Sequence, residues 1–110
     1  MRWMSPELFD PKMFDLNGDY RTESSDCYAF GMLIYEVLSG HVPFHTYPAH
    51  CVFVQALEGE RPERPQGPEG RWFTDDIWKI LEGCWKAKPG DRPRADRVLQ
   101  RLEEASKFWT

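Results

Sequence analysis

The most hydrophobic stretch of the chain runs from residue 24 to residue 40. From residue 27 to residue 38 nearly every position is apolar, and Glu36 is the only charged side chain. A helix on a protein surface shows one apolar stripe, whereas this segment is apolar on all sides, so we expect it to be buried. The run is too short for a membrane span, and Gly40 and Pro43 end it. The pattern predicts the central helix of a soluble helical domain.

A short helix is predicted before this stretch. Ser5, followed by Pro6 and Glu7, is typical of the first turn of a helix, with Ser5 as the N-cap. Leu8 and Phe9 would form its buried side. Large apolar side chains directly at the start of the chain indicate that the sequence begins inside a longer domain.

Three helices are predicted after the central one, over residues 49–59, 74–87 and 94–107, and a proline- and glycine-rich connector separates the first two. The helix at 74–87 begins at Thr74, a good N-cap, and repeats its apolar residues with helical spacing. No segment shows the alternation of a strand, so the predicted fold class is all-α. The residues predicted to pack inward are Val52, Val54, Ala56 and Leu57; Ile77, Ile80, Leu81 and Cys84, with Trp78 and Trp85; and Ala95, Val98, Leu99, Leu102 and Ala105.

Composition and charge exclude several classes of function. A net charge of −4 leaves no dominant basic face, so we expect no nucleic-acid partner. The three cysteines, at positions 27, 51 and 84, are odd in number and lack a CxxC spacing, which indicates a reducing, intracellular and cytoplasmic setting. No targeting segment or membrane partner is predicted.

One polar segment resembles a calcium loop but departs from its pattern. Asp15, Asn17, Asp19 and Asp26 stand at positions one, three, five and twelve of such a loop. Tyr20 occupies the sixth position, where glycine is needed, and the twelfth is usually glutamate. A polar turn that leads into a helix cap is therefore the better interpretation.

A second group suggests zinc at first sight. His41, His45, His50 and Cys51 lie close together in the sequence. Their spacing matches no familiar zinc motif, so we predict surface histidines in a loop.

Three blocks of the sequence, in order, resemble motifs of protein kinases. Residues 2–7, RWMSPE, resemble the Ala-Pro-Glu motif that ends the activation segment, with Ser5 in place of alanine. Residues 25–31, SDCYAFG, resemble the Asp-x-x-x-x-Gly motif of the central helix of the kinase C-terminal lobe. Residues 84–93, CWKAKPGDRP, are similar to a block near the end of tyrosine kinases and tyrosine-kinase-like kinases. The resemblance covers essentially the whole chain and implies the helical C-terminal lobe portion of a kinase-like fold.

The resemblance implies structural roles for residues that are distant in sequence. Glu7 and Arg92 would form a buried ion pair, since an arginine fork can bind a carboxylate through two hydrogen bonds; the alternative is two exposed charges that never meet. Asp26 would accept hydrogen bonds from the catalytic loop, and it can also serve as a helix cap. The other structural residues are Gly31, for close packing; Leu33 and Val37, as core residues beneath the adenine; and Trp85 and Pro93, from the third block.

The resemblance also implies a substrate loop. Arg2, Trp3, Met4 and Ser5 would receive the residue that follows the phosphoacceptor in a protein substrate. The chain contains no glycine-rich GxGxxG sequence, no His-Arg-Asp and no Asp-Phe-Gly. We therefore predict no catalytic, cofactor-binding or metal-binding residue within it, and ATP and magnesium are implied for an intact parent protein alone.

These features predict that residues 1–110 are the substrate-side part of a kinase C-terminal lobe. The implied parent transfers the γ-phosphoryl group of ATP to protein serine or threonine rather than tyrosine. The expected partners are a protein substrate or the missing kinase segment. The alternative is a non-catalytic helical interaction module, a kinase remnant or decoy.

Overall fold

The computed structural model describes residues 2–9 and 23–106. The α-helices in these residues are α1 (Pro6–Phe9), α2 (Glu23–Ser39), α3 (Val52–Leu57), α4 (Asp75–Cys84) and α5 (Ala95–Ser106). Short 3-10 helices lie in the connections, at Ala49–Cys51, Gly67–Gly70 and Pro89–Asp91. The described residues contain no strand, and the predicted all-α fold class is confirmed.

The central helix predicted from the sequence is α2, the longest helix in the described residues. It packs against α4 and against the 3-10 helices Gly67–Gly70 and Pro89–Asp91. The helix ends where Gly40 adopts a φ of 80° and donates its backbone N–H to the carbonyl of Glu36 at 2.9 Å. Glycine suits this position because it has no Cβ to clash in the left-handed conformation. The buried face consists of Ser25, Cys27, Tyr28, Gly31, Met32 and Tyr35.

The opposite face of α2 contradicts the prediction that the helix is buried on all sides. Leu33 is 49% exposed and Val37 is 71% exposed, so the prediction that both lie in the core is wrong for this chain. Together with Phe30 and Leu99 they line an open apolar groove of about 410 Å³ between α2 and α5. The sequence pattern records that these side chains are apolar, but whether they are buried depends on which elements pack against them.

The helix α4 agrees closely with its prediction. The hydroxyl of Thr74 accepts a hydrogen bond from the backbone N–H of Ile77 at 3.2 Å, which caps the first turn. Its apolar face, Ile77, Ile80, Leu81 and Cys84, is buried between α2 and α5.

Four aromatic rings form a closed cluster in the core beside α4. Tyr35 and Phe73 have ring centroids 5.7 Å apart, and Phe73 and Trp78 also lie 5.7 Å apart. Trp78 contacts Trp85 at 5.6 Å, and Trp85 returns to Tyr35 at 6.2 Å. Tilted and edge-on arrangements of this kind are the favourable geometries for aromatic pairs.

The helices α3 and α5 bury fewer residues than predicted. Val52, Ala56, Val98 and Ala105 are buried, but Val54 is 40% exposed, Leu99 is 54% exposed and Ala95 is exposed. Leu57 and Leu102 are half-buried. The apolar stripe of α5 is divided because one side of it packs on α4, while Leu99 lines the open groove.

The structure describes all the residues of one suspected metal site and only part of the other. The three histidines are exposed, and the rings of His41 and His45 stack at 4.4 Å. Residues 15–20 of the calcium-like pattern lie outside the described residues, and Asp26 is exposed. Within residues 2–9 and 23–106, no group of three or more His, Cys, Asp or Glu side chains is placed to hold a metal ion.

None of the helices in the described part of the chain is long and apolar enough to span a membrane.

Candidate functional site

Residues 2–9, the N-terminal segment, are fixed to the helical domain at three points along their length. Ser5, Pro6 and Glu7 are buried, whereas Leu8 is half-buried. The prediction that Leu8 forms the buried side of α1 is therefore wrong in part, and the side chain of Phe9 lies outside the described residues. The Ser5 hydroxyl donates to Glu7 Oε2 at 2.8 Å, so the first turn of α1 directs its polar groups into the protein.

The first fixed point is the ion pair between Glu7 and Arg92. Arg92 Nη1 lies 2.8 Å from Glu7 Oε2, and Arg92 Nη2 lies 2.8 Å from Glu7 Oε1. The Glu7 side chain is 1% exposed and the Arg92 side chain is 0% exposed. Two parallel N–H to oxygen bonds fix the relative orientation of the two groups as well as their distance.

Arg92 also connects two other parts of the chain to α1. Its Nε donates to the carbonyl of Lys86 at 2.9 Å, and its Nη1 donates to the carbonyl of Ser24 at 3.0 Å. A longer bond of 3.4 Å joins Nη2 to the carbonyl of Ala87. The guanidinium carbon lies 5.2 Å from the centre of the Tyr28 ring. One side chain thus joins α1, the start of α2 and the turn after α4.

Burial and hydrogen bonding act in opposite directions on Glu7. Burial alone raises the pKa of its carboxyl, but the hydrogen bonds from Arg92 and Ser5 favour the ionised form more strongly. The pKa of Glu7 therefore lies below its ordinary value of 4.5, and the ion pair is charged at neutral pH. Nearby, burial raises the pKa of Tyr28 to about 12, so this phenol stays neutral.

The second fixed point is Arg2. Its Nη1 donates to the carbonyls of Pro43 at 3.1 Å and Phe44 at 2.7 Å, and its Nη2 donates to the carbonyl of Tyr47 at 3.1 Å. Phe44 adopts a φ of 56°, a left-handed conformation that is uncommon for a residue with a side chain. The three bonds hold the loop after α2 against the start of the N-terminal segment.

The third fixed point is Trp3. Its indole Nε1 donates to Glu36 Oε1 at 2.8 Å. Glu36 is the single charge in the apolar run of α2, and this bond gives that carboxylate a partner. A small cavity of about 210 Å³ adjoins the contact, lined by Trp3, Met4, Leu8, Ser25, Asp26 and Ala29.

Comparison with known proteins gives the family. A sequence model described as "Protein tyrosine and serine/threonine kinase" matches residues 1–102. The chain belongs to the protein kinase family. Its helical fold is the C-terminal lobe portion of a protein-kinase-like domain.

Curated relatives include kinases of both acceptor classes. The chain is 37% identical over 109 residues to the probable serine/threonine-protein kinase gdt4 of Dictyostelium discoideum, a match that covers 98% of this chain and 6% of that protein. It is 34% identical over 113 residues to human proto-oncogene tyrosine-protein kinase ROS, covering 99% of this chain and 4% of the relative. It is 30% identical over 103 residues to integrin-linked protein kinase 1 of Arabidopsis thaliana, a match that covers 93% of this chain and 20% of that protein. The chain thus spans a small fraction of the length of these kinases.

The structure places Asp26 beside the residues predicted to form the substrate loop. Arg2, Trp3, Met4 and Ser5 are continuous with the ion pair at Glu7, and Asp26 lines the small cavity beside Trp3 and Met4. Asp26 is exposed, so its carboxylate is open to solvent on this face of the chain.

Other motif residues have structural positions away from this segment. At Gly31, α2 approaches α4 so closely that an added Cβ would lie 2.8 Å from both Cys84 Cβ and Trp85 Nε1. Pro93 is half-buried, and its ring lies beside Gly83. Leu33 and Val37 lie on the exposed face of α2, separate from the N-terminal segment.

Two contacts of this kinase segment were missed by the sequence analysis. The bonds from Arg2 to three carbonyls could not be predicted from the sequence, because any residue supplies a backbone carbonyl. The Trp3–Glu36 bond did leave a signal, since a lone charge in an apolar helix requires a partner. Trp3 carries such a donor, but it lies 33 positions away from Glu36 in the sequence.

Kinases hold their cofactors with a small set of sequence motifs. Kinases hold ATP and magnesium with a glycine-rich loop, a lysine, and the Asp of Asp-Phe-Gly. None of those sequence motifs occurs in the 110 residues.

Proposed function

We propose that residues 1–110 are the substrate-side part of a kinase C-terminal lobe and that the N-terminal segment positions a protein substrate. The observation that supports this most directly is the buried Glu7–Arg92 pair, which fixes residues 2–9 on the domain. The Arg2 and Trp3 contacts hold the preceding residues in one conformation. A loop fixed at three points is preorganised, so ordering it on substrate binding costs little entropy.

In this proposal the parent protein transfers the γ-phosphoryl group of ATP to a protein side chain, with magnesium. We infer serine or threonine as the acceptor, supported by the similarity to tyrosine-kinase-like kinases and to relatives such as gdt4. The partners would be the substrate and the remainder of the kinase domain, and the location would be cytoplasmic.

A chimera tests the proposal. Residues 1–102 would replace the matching segment in the kinase domains of gdt4 and human ROS, and phosphoryl transfer to peptide arrays would be measured. We expect both chimeras to be active, with changed preferences next to the acceptor residue. The Arg92→Ala chimera serves as the control, because releasing the ion pair should lower activity. Folded chimeras that bind an ATP analogue yet phosphorylate no peptide would refute the proposed role.

The natural product can be examined directly. An antibody against the C-terminal residues would isolate the native polypeptide for intact mass measurement and phosphoamino-acid analysis. A product of full kinase-domain size or larger, with phosphoserine or phosphothreonine in its substrates, is the expected result. A product of 13.0 kDa would contradict the catalytic parent.

One observation favours a second function, that of a non-catalytic interaction module. The apolar groove between α2 and α5 exposes Leu33, Val37 and Leu99, and exposed apolar surface of this kind often marks an interaction site. A native 13.0 kDa product that co-purifies stoichiometrically with a kinase or its substrate would support this alternative.

A further inference from the structure

A second cleft lies beside the N-terminal segment but is not lined by it. Its volume is about 380 Å³, and it is bounded by the loop of residues 41–47 and the connector of residues 60–66, with Tyr35 of α2 between them. No residue of 2–9 lines it, which separates it from the substrate loop. We call it the connector cleft.

The walls of the connector cleft are fixed by arginine side chains. Arg2 holds one wall through the carbonyls of residues 43, 44 and 47. Arg61 holds the other, donating to the carbonyls of Trp85 at 2.8 Å and Ala56 at 3.1 Å. Arg64 pairs with Asp75 at 2.7 Å. Since these guanidinium groups bind the protein itself, the cleft is preformed and its lining cations are already engaged.

The inner surface of the cleft is aromatic. Tyr35 and Phe44 are 4% and 5% exposed, and the Phe44 and Tyr47 rings lie 6.2 Å apart. The left-handed backbone of Phe44 is held by hydrogen bonds from Arg2 and from the Tyr47 N–H. Strained residues that the surrounding contacts maintain are frequent in ligand-binding loops. The Tyr47 ring is 36% exposed and can offer its face to a flat cation.

The rim of the cleft carries two carboxylates. Glu60 and Glu63 are exposed, and neither forms an ion pair with a residue in the described ranges. Pro62 and Pro65 have no backbone N–H, so at these two positions the connector offers a carbonyl oxygen and no donor. Two carboxylates beside an exposed aromatic ring complement a donor-rich cation. Arginine meets this requirement better than lysine because its planar guanidinium both stacks on rings and binds carboxylates in a fork.

We propose that the connector cleft binds an arginine-containing segment of a protein substrate, at a distance from its phosphoacceptor residue. The inference rests on the proposed substrate-positioning function and extends it to a second contact site. Arg2 links the two sites, because it belongs to the substrate loop and also holds the 43–47 wall. Docking in the cleft would therefore present the substrate in a fixed relation to residues 2–5.

Peptide binding to the purified 110-residue chain tests the inference without any kinase assay. The probe is a fluorescein-labelled peptide, Gly-Ala-Arg-Pro-Arg-Phe-Ala-Gly, and its partner carries citrulline in place of both arginines. Citrulline has the shape of arginine without the charge. We expect the arginine probe to bind about tenfold more tightly in fluorescence anisotropy, since hydrogen bonds between charged groups are the stronger ones.

Variants locate the binding. The Glu60→Gln/Glu63→Gln double variant should weaken binding of the arginine probe about tenfold, and Tyr47→Ala should also weaken it, because both remove cleft contacts. Glu58→Gln, an exposed residue outside the cleft, is the matched control and should leave binding unchanged. Far-ultraviolet circular dichroism checks that each variant is folded.

Either of two results would overturn the inference: equal binding of the arginine and citrulline probes, or loss of affinity in Glu58→Gln equal to that in the double variant. These results are separable from failure of the proposed function. An active chimera together with equal binding of the two probes would refute the proposed cleft function alone. An inactive chimera together with tighter binding of the arginine probe would refute the substrate-loop role instead.

Discussion

Glu7 and Arg92 are 85 positions apart in the sequence, yet their side chains meet in a two-pronged ion pair with both nitrogen–oxygen distances at 2.8 Å. The pair fixes the beginning of the described chain to the turn that precedes α5. Its neighbours are carbonyls and a buried tyrosine ring, and both side chains are almost completely shielded from solvent. The pair is therefore sensitive to the loss of either partner.

Replacing Arg92 by alanine should destabilise the chain strongly. The Glu7 carboxylate would remain buried without its cation, which costs about 3–5 kcal/mol of the free energy of unfolding. Arg92→Lys should give an intermediate loss, because lysine keeps the charge but not the fork. Urea unfolding measures both values. Arg94→Ala is the control, since Arg94 is 82% exposed and should change stability by no more than about 0.5 kcal/mol. Equal losses in Arg92→Ala and Arg94→Ala would contradict the importance of the pair.

The stability contributed by Glu7 should depend on pH in a defined direction. Because the pKa of Glu7 is lowered in the folded chain, its contribution is fully present above the ordinary value of 4.5 and is lost as the pH falls through the folded-state pKa. The difference in free energy of unfolding between the wild-type chain and Glu7→Gln should therefore shrink as the pH falls below about 5, because the Glu7 carboxylate becomes protonated. Urea midpoints across this range provide the measurement.

Asp96→Asn is a suitable comparison, since Asp96 is exposed and lies 3.8 Å from Arg94. Its Oδ1 accepts a hydrogen bond from the backbone N–H of Arg97 at 2.9 Å, and an asparagine side chain can accept the same bond. The difference in stability between this variant and the wild-type chain should therefore be small. A wild-type to Glu7→Gln difference that is constant with pH would show that Glu7 does not titrate as the structure implies.

Gly31→Ala should destabilise the contact between α2 and α4. The added methyl group would lie 2.8 Å from Cys84 Cβ and Trp85 Nε1, closer than such atoms normally approach. Overpacking of this kind costs about 1–3 kcal/mol, even though alanine favours helices over glycine. Thermal unfolding followed by circular dichroism measures the change. Gly90→Ala, where nothing lies within 4 Å of the added Cβ, should be close to neutral. A Gly31→Ala chain as stable as wild type would mean that the helices separate at little cost.

The apolar groove should drive self-association of the isolated chain. Leu33→Lys and Val37→Lys place charges on the exposed face of α2, so we expect sedimentation to show fewer oligomers with little loss of stability. Leu81→Ala is the contrasting variant, because Leu81 is fully buried and its truncation should cost about 2–5 kcal/mol. Unchanged oligomers in both lysine variants would show that the groove takes no part in association.

Much of the fold follows from local sequence. Thr74 caps α4, Gly40 ends α2, and the helical spacing of Ile77, Ile80 and Leu81 places them on one face. Each of these depends on neighbouring residues along the chain, so the pattern alone is sufficient. The three kinase blocks were likewise visible in the sequence, and comparison with known proteins confirms the family they indicate.

Tertiary structure decided what those patterns leave open. An apolar residue type indicates a preference for burial, but it does not show whether another element packs against that residue. Leu33 and Val37 are exposed although the residues around them in the sequence are apolar. The bonds of Arg2 depend on where a loop carbonyl lies in space, which no residue type encodes. The sequence by itself determined the helices and the family, because these follow from local spacing and motif. Packing determined the exposed face of α2, the fixed N-terminal segment and the connector cleft, because these depend on contacts between distant residues.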